Sequence, residues 1–88
     1  MFSVLLGRQA EKFVKRTEPK LRERLRQLFI VLKLEPVPAA KYDARKVRGA
    51  IDTYRIRISS YRVVYTVEWD EKRIRVFEIE RRDEHTYD

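Results

Sequence analysis

Between residues 54 and 65 the chain runs Tyr54-Arg55-Ile56-Arg57-Ile58-Ser59-Ser60-Tyr61-Arg62-Val63-Val64-Tyr65, with apolar and arginine positions alternating at period two on both sides of a Ser-Ser pair. Alternation at that period sorts side chains onto opposite faces of a strand, and a two-residue turn folds the segment into a hairpin. Such a hairpin pairs Ile58 with Tyr61, Arg57 with Arg62, Ile56 with Val63, Arg55 with Val64 and Tyr54 with Tyr65. One face is then core: Tyr54, Ile56, Ile58, Tyr61, Val63 and Tyr65. The other carries Arg55, Arg57 and Arg62. Arg57 directly opposite Arg62 costs stability unless an anion lies between them, so this face points to a ligand.

The segments around the hairpin supply partners for its apolar face. Residues 2–6 read as a short buried strand ending at Gly7, and Ala10, Phe13 and Val14 mark the apolar stripe of a first helix. Thr17 is placed as the N-cap of a longer helix with Pro19 in its first turn. Leu21, Leu25, Leu28, Phe29 and Leu32 share one face of that helix, which should stop near Leu34 before Pro36 and Pro38. Residues 35–53 read as irregular and basic, with a brief strand around Val47. A second turn at Asp70-Glu71 pairs Val67 with Ile74, Tyr65 with Val76, Val64 with Phe77 and Arg62 with Ile79, which sends Arg81 to the arginine face. In that register Glu78 opposes Val63 on the core side, a mismatch that predicts a bulge or an edge position there. The order β-α-α-β-β-β predicts a single α+β domain over residues 1–88: a small antiparallel sheet with an N-terminal strand and a helical hairpin on one face.

Composition narrows the chemistry. The 88 residues contain no cysteine and one histidine, which excludes disulfides and thiolate metal sites and argues against any metal or small-molecule cofactor. No stretch approaches a membrane span, and the first residues lack the basic start of a signal peptide, so a cytoplasmic protein with no membrane role is expected. The net charge of +7 favours a polyanionic partner. Arginine predominates after residue 44, and its planar fork of donors suits phosphate oxygens, which shifts the weight from membrane to nucleic acid.

The cadence Lys46-Val47-Arg48-Gly49, then Tyr54-Arg55-Ile56-Arg57, then Tyr61-Arg62-Val63-Val64-Tyr65 resembles the RelE/ParE toxin superfamily, in particular its RelE-like branch. The resemblance covers nearly the whole chain in length and element order and is strongest over about residues 46–87. It implies the toxin of a type II toxin-antitoxin system: a ribosome-dependent endoribonuclease that cleaves mRNA in the A site without a metal, inhibits translation, and is held inactive by a RelB-like antitoxin. By position in the motif it implies Arg62, Arg81 and Tyr87 as catalytic residues. His85, the other group able to act as acid or base near neutral pH, joins them. Arg55, Arg57, Arg48, Lys46 and Arg82 are the expected RNA and phosphate contacts. Where the best-known RelE branch has lysines, this chain has Arg55 and Arg57, which cannot serve as general bases because a guanidinium keeps its proton. Two other readings stay open: a ParE-like or degenerate member that binds a protein target or RNA without cutting it, and a plain basic nucleic-acid-binding module.

Overall fold

A computed structural model describes residues 1–82. The elements are β1 (Ser3–Leu6), α1 (Arg8–Arg16), α2 (Pro19–Leu34), α3 (Ala39–Tyr42), β2 (Arg45–Lys46), β3 (Thr53–Ile58), β4 (Tyr61–Glu68) and β5 (Arg73–Arg81). The five strands form one sheet in the order β1-β5-β4-β3-β2. The α+β class and the helical hairpin on one sheet face are as expected. The sheet is mixed, however, because β1 runs parallel to β5 while the other pairs are antiparallel. β1 is an edge strand and is not buried throughout: Val4 and Leu6 turn toward the core, whereas Ser3 and Leu5 face outward.

The helices form where the stripe and the end signals agree. Glu18, one residue later than expected, is the N-cap of α2, and Pro19 occupies the first helical position, where its missing N–H removes no helical bond. Leu25, Leu28 and Leu32 are fully buried, each contributing about 1.5–3 kcal/mol of apolar transfer free energy. Arg22 closes the turn between the helices by donating to the carbonyls of Val14 at 2.8 Å, Lys15 at 3.0 Å and Thr17 at 2.9 Å, which satisfies two of the last acceptors of α1 and that of its C-cap. No helix among the described residues is long and apolar enough to cross a membrane.

Every pair expected for the first hairpin is present, and Ser59 takes the left-handed φ of 55° that its tight turn requires. Ile56, Ile58, Val63 and Tyr65 are buried on the helix side, with Tyr54 and Tyr61 half-buried beside them. The second hairpin follows the expected register from Glu68↔Arg73 to Tyr65↔Val76 and then shifts, so that Val64 pairs with Glu78, Val63 with Ile79, Arg62 with Glu80 and Tyr61 with Arg81. Phe77 is the extra residue. The bulge keeps the Glu78 carboxylate out of the core and puts Ile79 into it, fully buried.

This bulge corrects the expectation for Arg81. Facing residues in a ladder share a side of the sheet, so Arg81, across from Tyr61, belongs to the helix side. Glu80 takes the place on the arginine face. The shifted register is pinned at both ends: Gly7 N–H donates to the Val76 carbonyl at 2.8 Å. Beyond the end of β1, the Gln9 side-chain amide donates to the Ile79 carbonyl at 2.7 Å and accepts from its N–H at 2.8 Å, standing in for one more residue of edge strand.

At the other end of the open face Glu68 accepts from Arg73 Nε at 2.5 Å and from Arg75 Nε at 3.0 Å. The Arg73 hydrogen bond, and then that of Arg75, hold the Glu68 carboxyl below its usual value against the opposing effect of burial. A depressed carboxylate stabilises the fold above its ordinary pKa, and that contribution is lost as pH falls through the depressed value. Thermal melts of wild type and Glu68→Gln taken from about pH 6 down to about pH 2 test this: the variant is expected to show the shallower acid loss.

Candidate nucleic-acid interface

The segment between α3 and β3 is short and shaped by a few backbone positions. Asp43 ends α3 in the left-handed region at φ 52°, and Arg45 and Lys46 then pair with Arg55 and Tyr54 at the edge of the sheet. Val47 to Ala50 form a turn, with Ala50 N–H donating to the Val47 carbonyl at 3.3 Å. Its third residue, Gly49, has φ 83°, a value that type II turns demand and that glycine adopts without strain. The Lys46-Val47-Arg48-Gly49 motif is therefore the end of β2 and the first three residues of a turn that sets Arg48 at its second position, beside the sheet.

Between this arm and the outer sheet face lies a cleft of about 770 Å³. Arg45, Arg48, Arg55 and Arg62 supply its positive charge, while Lys46 lines its β2 wall and faces Tyr54 on the helix side of the ladder. Thr53 and Val64 also line it, and the bulge residues Phe77 and Glu78 form its β5 side. Thr53 is fixed by its hydroxyl, which lies 2.9 Å from the Ile51 carbonyl and 3.2 Å from the Thr66 hydroxyl.

The cations differ in their surroundings. Arg55 is only 5% exposed, although it is a permanently charged group on the outer face. Water screens a guanidinium in that position poorly, so an anion at the cleft mouth would feel it more strongly than it would a solvated surface arginine. Arg62, with its side chain about 22% exposed, donates through Nη2 to Glu80. Across β3, β4 and β5 the outer face therefore reads Arg57, Arg62, Glu80, and the carboxylate offsets the like-charged pair. Arg57 is exposed on this same face. Arg45 is exposed and donates to Asp43 at 3.2 Å.

Of the residues singled out in the sequence, Lys46, Arg48, Arg55 and Arg62 come together in the cleft, and Arg57 shares their face. Arg81 does not join them. Arg82 is half-buried just past β5, its backbone N–H donating to the Ser60 carbonyl at 2.7 Å. His85 and Tyr87 lie outside the described residues. Sequence reasoning missed Arg45, Phe77, Glu78 and Glu80 as members or neighbours of the site. The signal for the last three was the Glu78 mismatch: resolving it as a one-residue bulge moves Glu80 opposite Arg62.

The fold and cleft define a class: a small α+β domain whose helices cover one sheet face and whose other face carries a basic cleft. Residues 4–86 match the family described as the ParE toxin of type II toxin-antitoxin system, parDE. The chain is 33% identical over 82 residues to a Methanocaldococcus jannaschii protein named "Putative toxin RelE1", covering 93% of this chain and 91% of that protein. A chain of the archaeal RelE-RelB complex from Pyrococcus horikoshii OT3 superposes with a TM-score of 0.85 at 30% identity, over 94% of this chain and 97% of that one. The intact E. coli RelBE toxin-antitoxin complex is similar in fold, with a TM-score of 0.79 at 24% identity over 94% of this chain and 99% of that one. The protein belongs to the RelE/ParE toxin superfamily.

Proposed function

We propose that this protein is the toxin of a RelBE-type pair, a metal-independent endoribonuclease that cleaves messenger RNA in the ribosomal A site and is restrained by a RelB-like antitoxin. The observation that carries the reading is the cleft in which Arg55 and Arg62 from adjacent strands meet Lys46 and Arg48 from the β2 arm. Metal-free cleavage of RNA requires the 2′-hydroxyl to lose its proton and attack the adjacent phosphorus. The 5′-oxygen must leave with a proton, giving a 2′,3′-cyclic phosphate and a 5′-hydroxyl. Negative charge builds on the phosphoryl oxygens between these events, and fixed guanidinium groups stabilise it. Arg62 and Arg55 take that role, while Lys46, Arg48 and Arg57 hold the flanking backbone. His85 and Tyr87 are the candidates for proton transfer. Arg81, on the helix side of the ladder, is left out of the phosphate contacts.

The antitoxin partner rests on likeness to proteins solved as RelE-RelB complexes, and the net charge of +7 suits an acidic inhibitor laid over the arginine face. Expression alone and together with an adjacent antitoxin gene, followed by mapping of messenger RNA 5′ ends on ribosomes, tests the whole reading. New 5′-hydroxyl ends within translated codons are expected, appearing only when the toxin is unrestrained. Growth arrest without such ends would overturn cleavage in favour of a member that binds its target without cutting.

A further inference from the structure

We infer that the β5 bulge is a nucleobase seat, in which the ring of Phe77 stacks on a base of the strand whose phosphates lie toward Arg55 and Arg62. The inference rests on the reading of the cleft as an RNA site and adds a residue and a chemical role to it. Phe77 is 47% exposed although it lies within a strand, and it lines the cleft. The other ring contacts among the described residues pair Phe2 with Trp69, Phe13 with Tyr61 and Tyr54 with Tyr65, and none of them uses Phe77.

The cleft is also polarised. Four arginines stand on β2, its turn, β3 and β4, whereas β5 contributes Phe77 and the carboxylate of Glu78. A phosphate beside Glu78 would be repelled, so the β5 side favours the uncharged part of a nucleotide, and an aromatic face is the surface a base stacks on. The platform is held in advance: the hydrogen bonds of Val76 to Gly7 and of Ile79 to Gln9 fix the backbone on either side of Phe77. A backbone held at this position lowers the cost of ordering the strand at binding.

The test measures binding of wild type, Phe77→Ala, Phe77→Trp and Arg48→Ala to ribosomes programmed with a 2′-O-methyl oligonucleotide messenger, which cannot be cleaved in the A site. Phe77→Ala is expected to raise Kd between about 5- and 150-fold, the range of losing one base stack, and Phe77→Trp to restore it. A series of oligonucleotides with one abasic site each supplies the readout that a merely structural role would not move. One abasic position should weaken wild type as much as Phe77→Ala does and leave Phe77→Ala itself unaffected. If Arg48→Ala loses affinity while Phe77→Ala binds like wild type, the seat is overturned and the RNA cleft stands. If wild type does not bind the programmed ribosome, both fall. If Phe77→Ala weakens only a co-expressed antitoxin, the ring belongs to a protein interface and the inference is wrong.

Discussion

Arg62→Ala is expected to lower messenger RNA cleavage on ribosomes by on the order of 10²–10³-fold, the usual effect of removing one preorganised donor to a transition-state oxyanion. Growth arrest should be lost with it. The fold should survive, because the side chain lies on the outer face and the Glu80 carboxylate it leaves behind is about 42% exposed and can be hydrated. Arg62→Lys separates charge from geometry: it keeps the cation but loses the planar fork and one of the two parallel bonds to a phosphate, so only partial recovery is expected. Single-turnover cleavage on ribosomes checks the first outcome and a thermal melt checks the second. Loss of stability in step with activity would remove Arg62 from the chemistry.

Tyr65→Ala should have the largest effect on stability. Tyr65 lies in the central strand β4, is fully buried, and its hydroxyl donates to the Pro36 carbonyl at 2.7 Å, tying the sheet to the segment that follows α2. Burial, and then the nearby Tyr54, push its pKa up, so it remains a neutral donor throughout the working pH range. Truncation to alanine empties an aromatic site in the middle of the core and is expected to cost about 3–5 kcal/mol. That is a large share of the roughly 5–10 kcal/mol expected for a domain of this size, so partial unfolding near 37 °C should follow. Tyr65→Phe keeps the ring and strands the Pro36 carbonyl, for a smaller loss of about 1–3 kcal/mol. Each kcal/mol corresponds to about 4–8 °C in Tm, so urea titration and thermal melts resolve the two variants.

The two halves of the sheet differ in how far they could be read from residues alone. For the first hairpin, a two-residue turn and strict alternation leave one register that buries Ile56, Ile58, Val63 and Tyr65, and the structure has that register. The second hairpin starts in the register its turn sets, but from Phe77 onward two demands conflict. Continuing it would bury the Glu78 carboxylate at a cost of several kcal/mol and expose Ile79, forgoing about 1.5–3 kcal/mol of apolar burial. A bulge resolves both. The mismatch was visible in the residues. A bulge was one of the two outcomes it predicted, the other being an edge position; the choice between them was not legible, because it depends on the helices covering Ile79, on β1 pairing beside β5 and on Gln9 reaching the freed strand.

By itself the sequence determined the class of fold, the apolar face and C-terminal end of α2, the first hairpin and the placement of Arg55, Arg57 and Arg62 on one face, all consequences of periodicity and nearby turn residues. Tertiary structure alone decided that β1 lies parallel beside β5 and that Glu80, not Arg81, stands across from Arg62. It also decided that the β2 arm and its turn set Arg45 and Arg48 beside Arg55 to make a cleft. These outcomes join segments separated by tens of residues. What selects them is competition for burial among whole elements, a quantity that no local pattern encodes.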